Sequence, residues 1–250
     1  MRLSVLFLAF IITTTVSSTV FGEKQSPDQG AYNIIKKAEK IRTPHNTKSM
    51  VKLFTVNGDQ KVSYELEVLK GENRKAFVNF LKPAEEKGRK MLSIGRKYWS
   101  TFPDSKFVLE ISRREAIGNS AFAMADIFQI DVDTEYSVKL IGKEKLGKIE
   151  CYKLELNQKI DDAAYFKIEY WASVKDTFPI QAKFYGQSGK HLKTMKLKKR
   201  MKLAGKIRPA IIQMKDEIKK NTYSIWTNRS MKSESFPANI FTKEYLKTRS

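Results

Sequence analysis

The chain has 250 residues, 41% of them hydrophobic, and a formal net charge of +20 from 47 lysines and arginines against 27 aspartates and glutamates. Such a basic surface implies anionic partners: nucleic acid, anionic lipid or an acidic protein. The single cysteine, Cys151, excludes an internal disulfide, and with only two histidines beside it the sequence offers no metal-ligand cluster. Cys151 lies in an alternating apolar run, so we expect a buried structural thiol.

The first 22 residues have the organisation of a secretory signal peptide. Arg2 supplies a positive charge, residues 3–12 are almost wholly apolar, and a small and polar stretch leads to Gly22. The apolar core is shorter than the roughly 20 residues that a spanning helix needs, which disfavours the alternative of an uncleaved anchor. We expect cleavage after Gly22, a single domain over residues 23–250 and no lipid anchor. Export leaves membrane surfaces and envelope proteins, rather than nucleic acid, as partners.

Hydrophobic periodicity divides the remaining chain into one helix and many strands. Residues 27–41 carry apolar side chains at three- and four-residue spacing, which predicts a helix that ends before Pro44. From there the period becomes two, and short runs of alternating polarity are separated by turn residues. The predicted strands are 47–56, 60–70, 74–81, 89–94, 97–102, 106–112, 135–143, 148–157, 164–173, 178–185, 190–203, 208–218 and 221–228.

Short connections between these strands predict antiparallel hairpins and a mainly β (α+β) meander. Two apolar segments interrupt it: residues 117–130 are predicted to be helical or irregular, and residues 237–246 to form a short terminal helix. A long, twisted antiparallel sheet curls, and its concave apolar face needs a cover. The helices are the available cover.

Catalytic motifs are absent from the sequence. It contains no nucleophile elbow, no His-Glu-x-x-His and no phosphate-binding glycine loop. The carboxylate pairs Asp131/Asp133 and Asp161/Asp162 lie in turn-like contexts, which are typical of solvated loop residues. We expect no enzyme and no cofactor; an enzyme acting on an envelope polymer is the remaining catalytic alternative, and it would need a polar cleft with perturbed carboxylates.

The segment 190–208 is unusually basic. Read as a strand, it places four cations on one face at about 6.6 Å spacing, with Lys199 as an exception on the apolar side. This face either solubilises the protein or docks on an anionic membrane surface or envelope transporter. The cations are Lys196, Lys198, Arg200 and Lys202.

Aromatic and aliphatic residues on the apolar faces of predicted strands are either ordinary core or the lining of a ligand cavity. The cavity candidates are Tyr64, Leu66, Phe80, Trp99, Phe107, Leu109, Tyr152, Leu154, Phe166, Ile168 and Tyr170. The candidates for a lid over this cavity are Phe122, Met124, Ile127 and Phe128.

Residues 80–127 contain a recognisable order of motifs. The run from Phe80 to Arg89, with Pro83 and Lys87-Gly88, precedes a Trp-containing strand that ends in Pro103; a small-residue segment, 120–125, then leads to Asp126. This order resembles the outer-membrane lipoprotein-sorting protein family, the LolA-like group of bacterial periplasms. The later order, with Phe178-Pro179 and the Phe241 terminus, also fits this family.

This resemblance implies an open, incomplete β-barrel whose concave face is plugged by helices, in the periplasm. It also implies a carrier of lipid acyl chains or a lipidated protein, acting in envelope lipid or lipoprotein trafficking without catalysis. A different class remains open: a non-lipid-binding accessory subunit of an envelope transporter, which would fill its own cavity with side chains. A tightly packed segment 117–128 would favour this second class.

Overall fold

The computed structural model describes residues 28–103, 105 and 107–248; the predicted signal peptide lies outside them. In this part of the chain two α-helices accompany thirteen strands, which form one antiparallel sheet. The helices are α1 (Gln29–Arg42) and α2 (Lys243–Leu246). The strands are β1 (Thr47–Asn57), β2 (Gln60–Lys70), β3 (Ala76–Lys82), β4 (Lys90–Ile94), β5 (Lys97–Ser100), β6 (Leu109–Ile111), β7 (Tyr136–Leu146), β8 (Ile149–Gln158), β9 (Lys167–Ser173), β10 (Pro179–Tyr185), β11 (His191–Leu203), β12 (Lys206–Asp216) and β13 (Thr222–Ser233).

The predicted fold class is confirmed, and every predicted strand overlaps an observed one. Alternating burial explains why: along β1 the odd-numbered residues from Thr47 to Leu53 are buried and the even-numbered ones are half-buried. The predicted strand 106–112 is reduced to three residues. The predicted irregular segment 117–130 contains a short 3-10 turn at Met124–Ile127, and the C-terminal segment combines a 3-10 turn at Ala238–Phe241 with α2.

Helix α1 begins where the side chain of Asp28 accepts a hydrogen bond from the Ala31 amide at 3.0 Å. Its buried face includes Ala31, Ile35 and Ala38, which packs the helix against the concave side of the sheet. The helix therefore forms as the amphipathic pattern predicts.

The order of strands adds a feature that hairpin spacing does not reveal. Strands β1–β6 and β7–β13 are two meanders, and they are joined because β1 pairs with β13 from Thr47 opposite Ser233 to Asn57 opposite Thr222. Strands β6 and β7 consequently lie at opposite edges of the sheet although they follow each other in the chain. Residues 112–135, here called the plug, connect these two edges across the concave face.

The two faces of the sheet bury separate apolar clusters. The main cluster lies between the concave face, α1 and the plug. A smaller cluster on the other face of β2–β5 contains Phe77, Leu92 and Trp99, covered by Phe241 and Leu246 of the C-terminal segment. Glycine at position 71 lets the Phe241 ring pack closely, because a Cβ there would lie 2.9 Å from this ring.

Candidate ligand-binding site

The concave face contains six of the predicted cavity residues. All are at most 2% exposed and belong to the main apolar cluster, because the alternation of strands β2, β3, β8 and β9 directs their side chains towards the concave side. Tyr64 packs its ring edge-on against Phe80, with ring centroids 5.8 Å apart. The six residues are Tyr64, Leu66, Phe80, Leu154, Ile168 and Tyr170.

The predicted cavity positions of four other residues are wrong. Trp99 is buried in the second cluster, on the opposite face, where Lys243 lies 4.6 Å from its ring centroid. Phe107 is 80% exposed because it precedes β6 and has no strand alternation to direct it inward. Leu109 lies on the three-residue edge strand β6 and is also exposed. Phe166 precedes β9 and is exposed.

Tyr152 lies outside the main cluster and is half-buried. It is the cross-strand partner of Lys143, whose ammonium is 5.7 Å from its ring centroid. The register of β7 and β8 shifts between Leu140 and Gly142, next to this pair. Tyr152 is therefore at the margin of the concave surface.

The plug covers the apolar floor and is itself buried. Phe122 contacts Trp226 of β13, with ring centroids 5.7 Å apart, and Phe128 contacts Tyr98 at 6.0 Å. Gly118, at φ +59°, lies so close to Tyr64 that a Cβ there would be 2.7 Å from the phenol ring. All four lid candidates, including Met124 and Ile127, are at most 5% exposed. The plug is thus tightly packed.

Backbone pairing with the sheet does not hold the plug in place. Its β-bridge within the described residues, Ala116 to Ala123, is internal to the plug. Side chains of α1 and β2 instead donate to its carbonyl groups. Arg42 donates to the carbonyls of Asp126, at 2.7 Å, and Phe128, while Thr43 and Lys70 donate to the Ile127 carbonyl at 3.0 and 2.6 Å.

A buried ion pair organises these contacts. Arg42 donates two hydrogen bonds to the carboxylate of Glu39, at 2.8 and 2.6 Å, and both side chains are at most 4% exposed. Glu39 also accepts from the Tyr170 hydroxyl at 2.9 Å and from the Ile130 amide at 2.8 Å. We call Glu39 and Arg42, with the plug carbonyls that they hold, the latch.

The electrostatics of the latch follow from its burial. Burial by itself opposes the charge of Arg42, but the charge and hydrogen bonds of Glu39 outweigh it and hold the pKa of Arg42 above its ordinary value. Burial, together with the positive charge of Arg42, lowers the pKa of the Lys70 ammonium to about 7. Burial also raises the pKa of the Tyr170 hydroxyl, so this group remains a hydrogen-bond donor.

A second set of polar contacts joins the two ends of the plug and ties its middle to Tyr165. Nη2 of Arg113 donates to both carboxylate oxygens of Glu135 at 2.8 Å, and both residues are buried. Asp126 accepts hydrogen bonds from the Tyr165 hydroxyl and the Ala123 amide, both at 2.7 Å.

Sequence reasoning missed the latch and this second set. A signal was present for the latch: Glu39 and Arg42 follow Ile35 and Ala38 at four-residue spacing, so they continue the apolar stripe of α1 with charged side chains.

The covered interior retains little open space. Two voids of about 30 Å³ each adjoin the latch. A void of this size has room for one or two water molecules, whereas small-molecule pockets measure about 300–1,000 Å³. A wider cleft of about 760 Å³ lies between α1 and edge strand β7, with Tyr32, Val138 and Leu140 in its wall. The concave face could accommodate a chain-like ligand only if the cover moved.

The four cations of the basic strand face are exposed. Arg200 is paired with Asp176 and stacks 3.9 Å from the centroid of the Phe178 ring. Lys199 avoids the apolar side through a left-handed backbone, φ 54°, which leaves it exposed. The role of this face in docking stays a prediction.

No helix in the described part of the chain combines the length and apolarity needed to cross a membrane. Among residues 28–103, 105 and 107–248, no group of three or more His, Cys, Asp or Glu side chains is arranged to hold a metal ion.

Comparison with known proteins places this arrangement in a wider group. A LolA superfamily protein from Nitrosomonas europaea is 29% identical, with 86% of this chain and 98% of that chain covered and a TM-score of 0.77. A domain assigned as an outer membrane lipoprotein-sorting protein from Vibrio parahaemolyticus is 18% identical over 88% and 99% of the two chains, with a TM-score of 0.77. A DUF1329 family protein from Desulfovibrio piger is 19% identical over 88% and 99%, with a TM-score of 0.79.

No curated protein sequence gives a significant match. A protein-family model described as "Uncharacterized protein" matches residues 72–248, which is more than half of the chain. The chain therefore belongs to this family, a branch of the LolA-like superfamily, and the resemblance predicted from its sequence is confirmed.

Proposed function

We propose that the protein is an exported periplasmic carrier, without catalytic activity, that binds acyl chains of a lipid or lipidated protein on the concave face of its sheet. In this proposal the signal peptide is cleaved after Gly22 and residues 23–250 act as one domain. The superfamily name and the lipoprotein-sorting assignment of the Vibrio domain support the class of ligand.

One observation carries the proposal: the plug that covers the concave face does not pair with any strand of the described sheet. The plug seals an apolar floor, but side-chain hydrogen bonds to its carbonyl groups, rather than a strand ladder, hold it there. Displacing the plug would break these bonds, the hydrogen bonds that its Asn119 and Ala121 amides donate to the Tyr64 and Ser224 hydroxyls, and its apolar contacts, but none of the backbone hydrogen bonds between the thirteen strands. An acyl chain that replaced the plug would recover apolar burial at about 0.8 kcal/mol for each methylene.

A route for the incoming chain is available beside α1. The cleft between α1 and β7 has an apolar wall that includes Val138 and Leu140. The side chain of Asp28 accepts a hydrogen bond from the Leu140 amide at 3.1 Å, which ties the start of α1 to this edge. In the proposed mechanism α1 and the plug separate here, and the ligand enters from the β7 edge.

The second candidate function is an accessory subunit of an envelope transporter that binds no lipid. The packed interior favours it, since the voids beside the latch measure only about 30 Å³ and the lid residues are buried. In that case the exposed basic strand face would be the partner site.

Native mass spectrometry distinguishes the two functions. The full chain is expressed with its own leader in a bacterium, recovered from the periplasm without detergent, and measured before and after organic extraction. A carrier is expected to show a mass excess that extraction removes and that yields an identifiable lipid. A clean mass that remains unchanged after incubation with fatty acid and phospholipid would refute the carrier and support the accessory subunit.

A further inference from the structure

A basic cleft lies at the rim of the cover, next to the latch. It has a volume of about 310 Å³ and is formed by the C-terminal half of α1, the turn between β2 and β3, and the plug. This volume lies within the range of small-molecule sites. Five cationic side chains line the cleft: Lys36, Lys40, Lys70, Arg74 and Lys75.

The two carboxylates of the cleft are already occupied. Asp133 accepts hydrogen bonds from Tyr32 and from the Lys36 ammonium, the latter at 2.6 Å. Asp131 accepts from the hydroxyl of Thr134 at 2.6 Å and from its amide at 2.9 Å. Asp131 also lies 3.7 Å from the guanidinium of Arg74, so the two carboxylates pair with Lys36 and Arg74 and leave the charges of Lys40 and Lys75 unneutralised.

Three of the five cations have no acidic partner. Within residues 28–103, 105 and 107–248, no carboxylate lies within 4 Å of the ammonium groups of Lys40, Lys70 or Lys75. Lys70 donates instead to the Thr43 hydroxyl at 2.7 Å and to the Ile127 carbonyl. Lys40 and Lys75 therefore supply unpaired ammonium groups to the cleft, and a bound anion would also favour the charged form of Lys70, whose pKa burial lowers to about 7. Neighbouring ammonium groups of this kind favour phosphate.

The cleft adjoins the apolar interior. Thr43 and Lys70 line both the cleft and one of the voids beside the latch, while Arg74, Gln129 and Ile130 line both the cleft and the other void. Phe128, a lid candidate on the plug, also contributes to its wall. A ligand with an anionic end in the cleft can therefore extend an apolar chain directly under the plug.

We infer that this cleft binds the anionic phosphate headgroup of a lipid whose acyl chain occupies the concave face. The inference rests on the proposed carrier function and narrows its ligand class to phosphate-bearing lipids. A free phosphate ion has the same anionic chemistry, and the test separates the two.

The test uses two lipids that differ only in the phosphate, 1-oleoyl lysophosphatidic acid and 1-oleoylglycerol, and inorganic phosphate as a third probe. Their affinities for the exported full chain are measured by isothermal titration calorimetry. The cleft variant is Lys40→Gln/Lys75→Gln, and the matched control is Lys145→Gln/Lys148→Gln, two exposed lysines of the β7–β8 hairpin.

The wild-type protein is expected to bind the phosphate-bearing lipid about tenfold more tightly than oleoylglycerol. The cleft variant should lose about threefold to tenfold in affinity for lysophosphatidic acid and none for oleoylglycerol, while the control variant behaves as wild type. Millimolar inorganic phosphate should weaken only the binding of lysophosphatidic acid.

Other outcomes overturn the inference in distinguishable ways. Equal affinities for the two lipids would leave the carrier standing and remove the headgroup site. Loss of affinity for both lipids in the cleft variant would assign Lys40 and Lys75 a structural role. Inorganic phosphate binding as tightly as lysophosphatidic acid would make the cleft a site for the free ion. Binding of neither lipid would refute the carrier and the headgroup site together.

Discussion

Replacing Arg42 with methionine should open the plug before it unfolds the sheet. The substitution keeps the length of the aliphatic stem but removes both hydrogen bonds to Glu39 and the bonds to the Asp126 and Phe128 carbonyls. Glu39, which is 1% exposed, would then remain as a buried charge with only Tyr170 and the Ile130 amide as donors. Breaking a buried pair in this way costs about 3–5 kcal/mol.

The double variant Glu39→Gln/Arg42→Met should be less destabilised than the sum of the two single variants. It removes the pair without leaving an uncompensated charge, so a coupling energy of about 2 kcal/mol or more is expected. Urea unfolding of the wild type and the three variants gives this coupling energy. Additivity within about 0.5 kcal/mol would mean that the two charges do not act as a unit.

Hydrogen exchange then tests whether the latch holds the plug in particular. Arg42→Met should reduce the protection of plug amides, such as those of Met124 and Phe128, more than that of β12 and β13. Arg208→Met is the matched control, since Arg208 is also buried and donates to carbonyls at the end of α1 and in β11, but not to the plug. Equal loss of protection in plug and sheet for Arg42→Met would refute the assignment of the latch.

Three further predictions concern the plug, its pH dependence and the basic strand face. Gly118→Ala should destabilise the protein by about 2–4 kcal/mol, because alanine is strained in a left-handed backbone and its Cβ would clash with Tyr64. Gly147, at φ +62°, has open space around it, so Gly147→Ala should cost only the backbone strain. Equal losses of stability in urea unfolding would contradict the close approach to Tyr64. The folded-state pKa of Lys70 is about 7, so the unfolded chain binds more protons than the folded one between pH 7 and about 10. The free energy of unfolding should therefore rise with pH in this range, by up to about 1.4 kcal/mol per pH unit relative to the Lys70→Met variant. Parallel pH profiles of the two proteins would refute this. Reversing the four charges of the basic strand face should weaken binding to anionic vesicles at low salt with little effect on lipid capture, and unchanged vesicle binding would remove the docking role.

The sequence predicted the strands well because their burial alternates, and it predicted the cover because a curled apolar sheet requires one. It could not reveal the pairing of β1 with β13, since the register of strands far apart in the chain leaves no mark in hairpin spacing. Trp99 illustrates a second limit: Tyr98, Trp99 and Ser100 of β5 are all buried, so alternation does not distinguish the two faces there. Phe107 and Phe166 illustrate a third, because each lies just outside a strand.

The presence of charge in the cover, rather than a wholly apolar seal, bears on how such a protein would open. If apolar contacts alone held the plug, its release would cost the full free energy of exposing those apolar side chains to water. Glu39, Arg42 and Lys70 instead carry a desolvation penalty while the plug is closed, and they recover hydration when it leaves. The geometry of their hydrogen bonds defines one closed position of the plug. Their rehydration on opening offsets part of the free energy that opening costs. In the proposed carrier, a polar latch over an apolar floor would thus permit a cover that is tightly packed in the absence of ligand and still displaceable by an acyl chain.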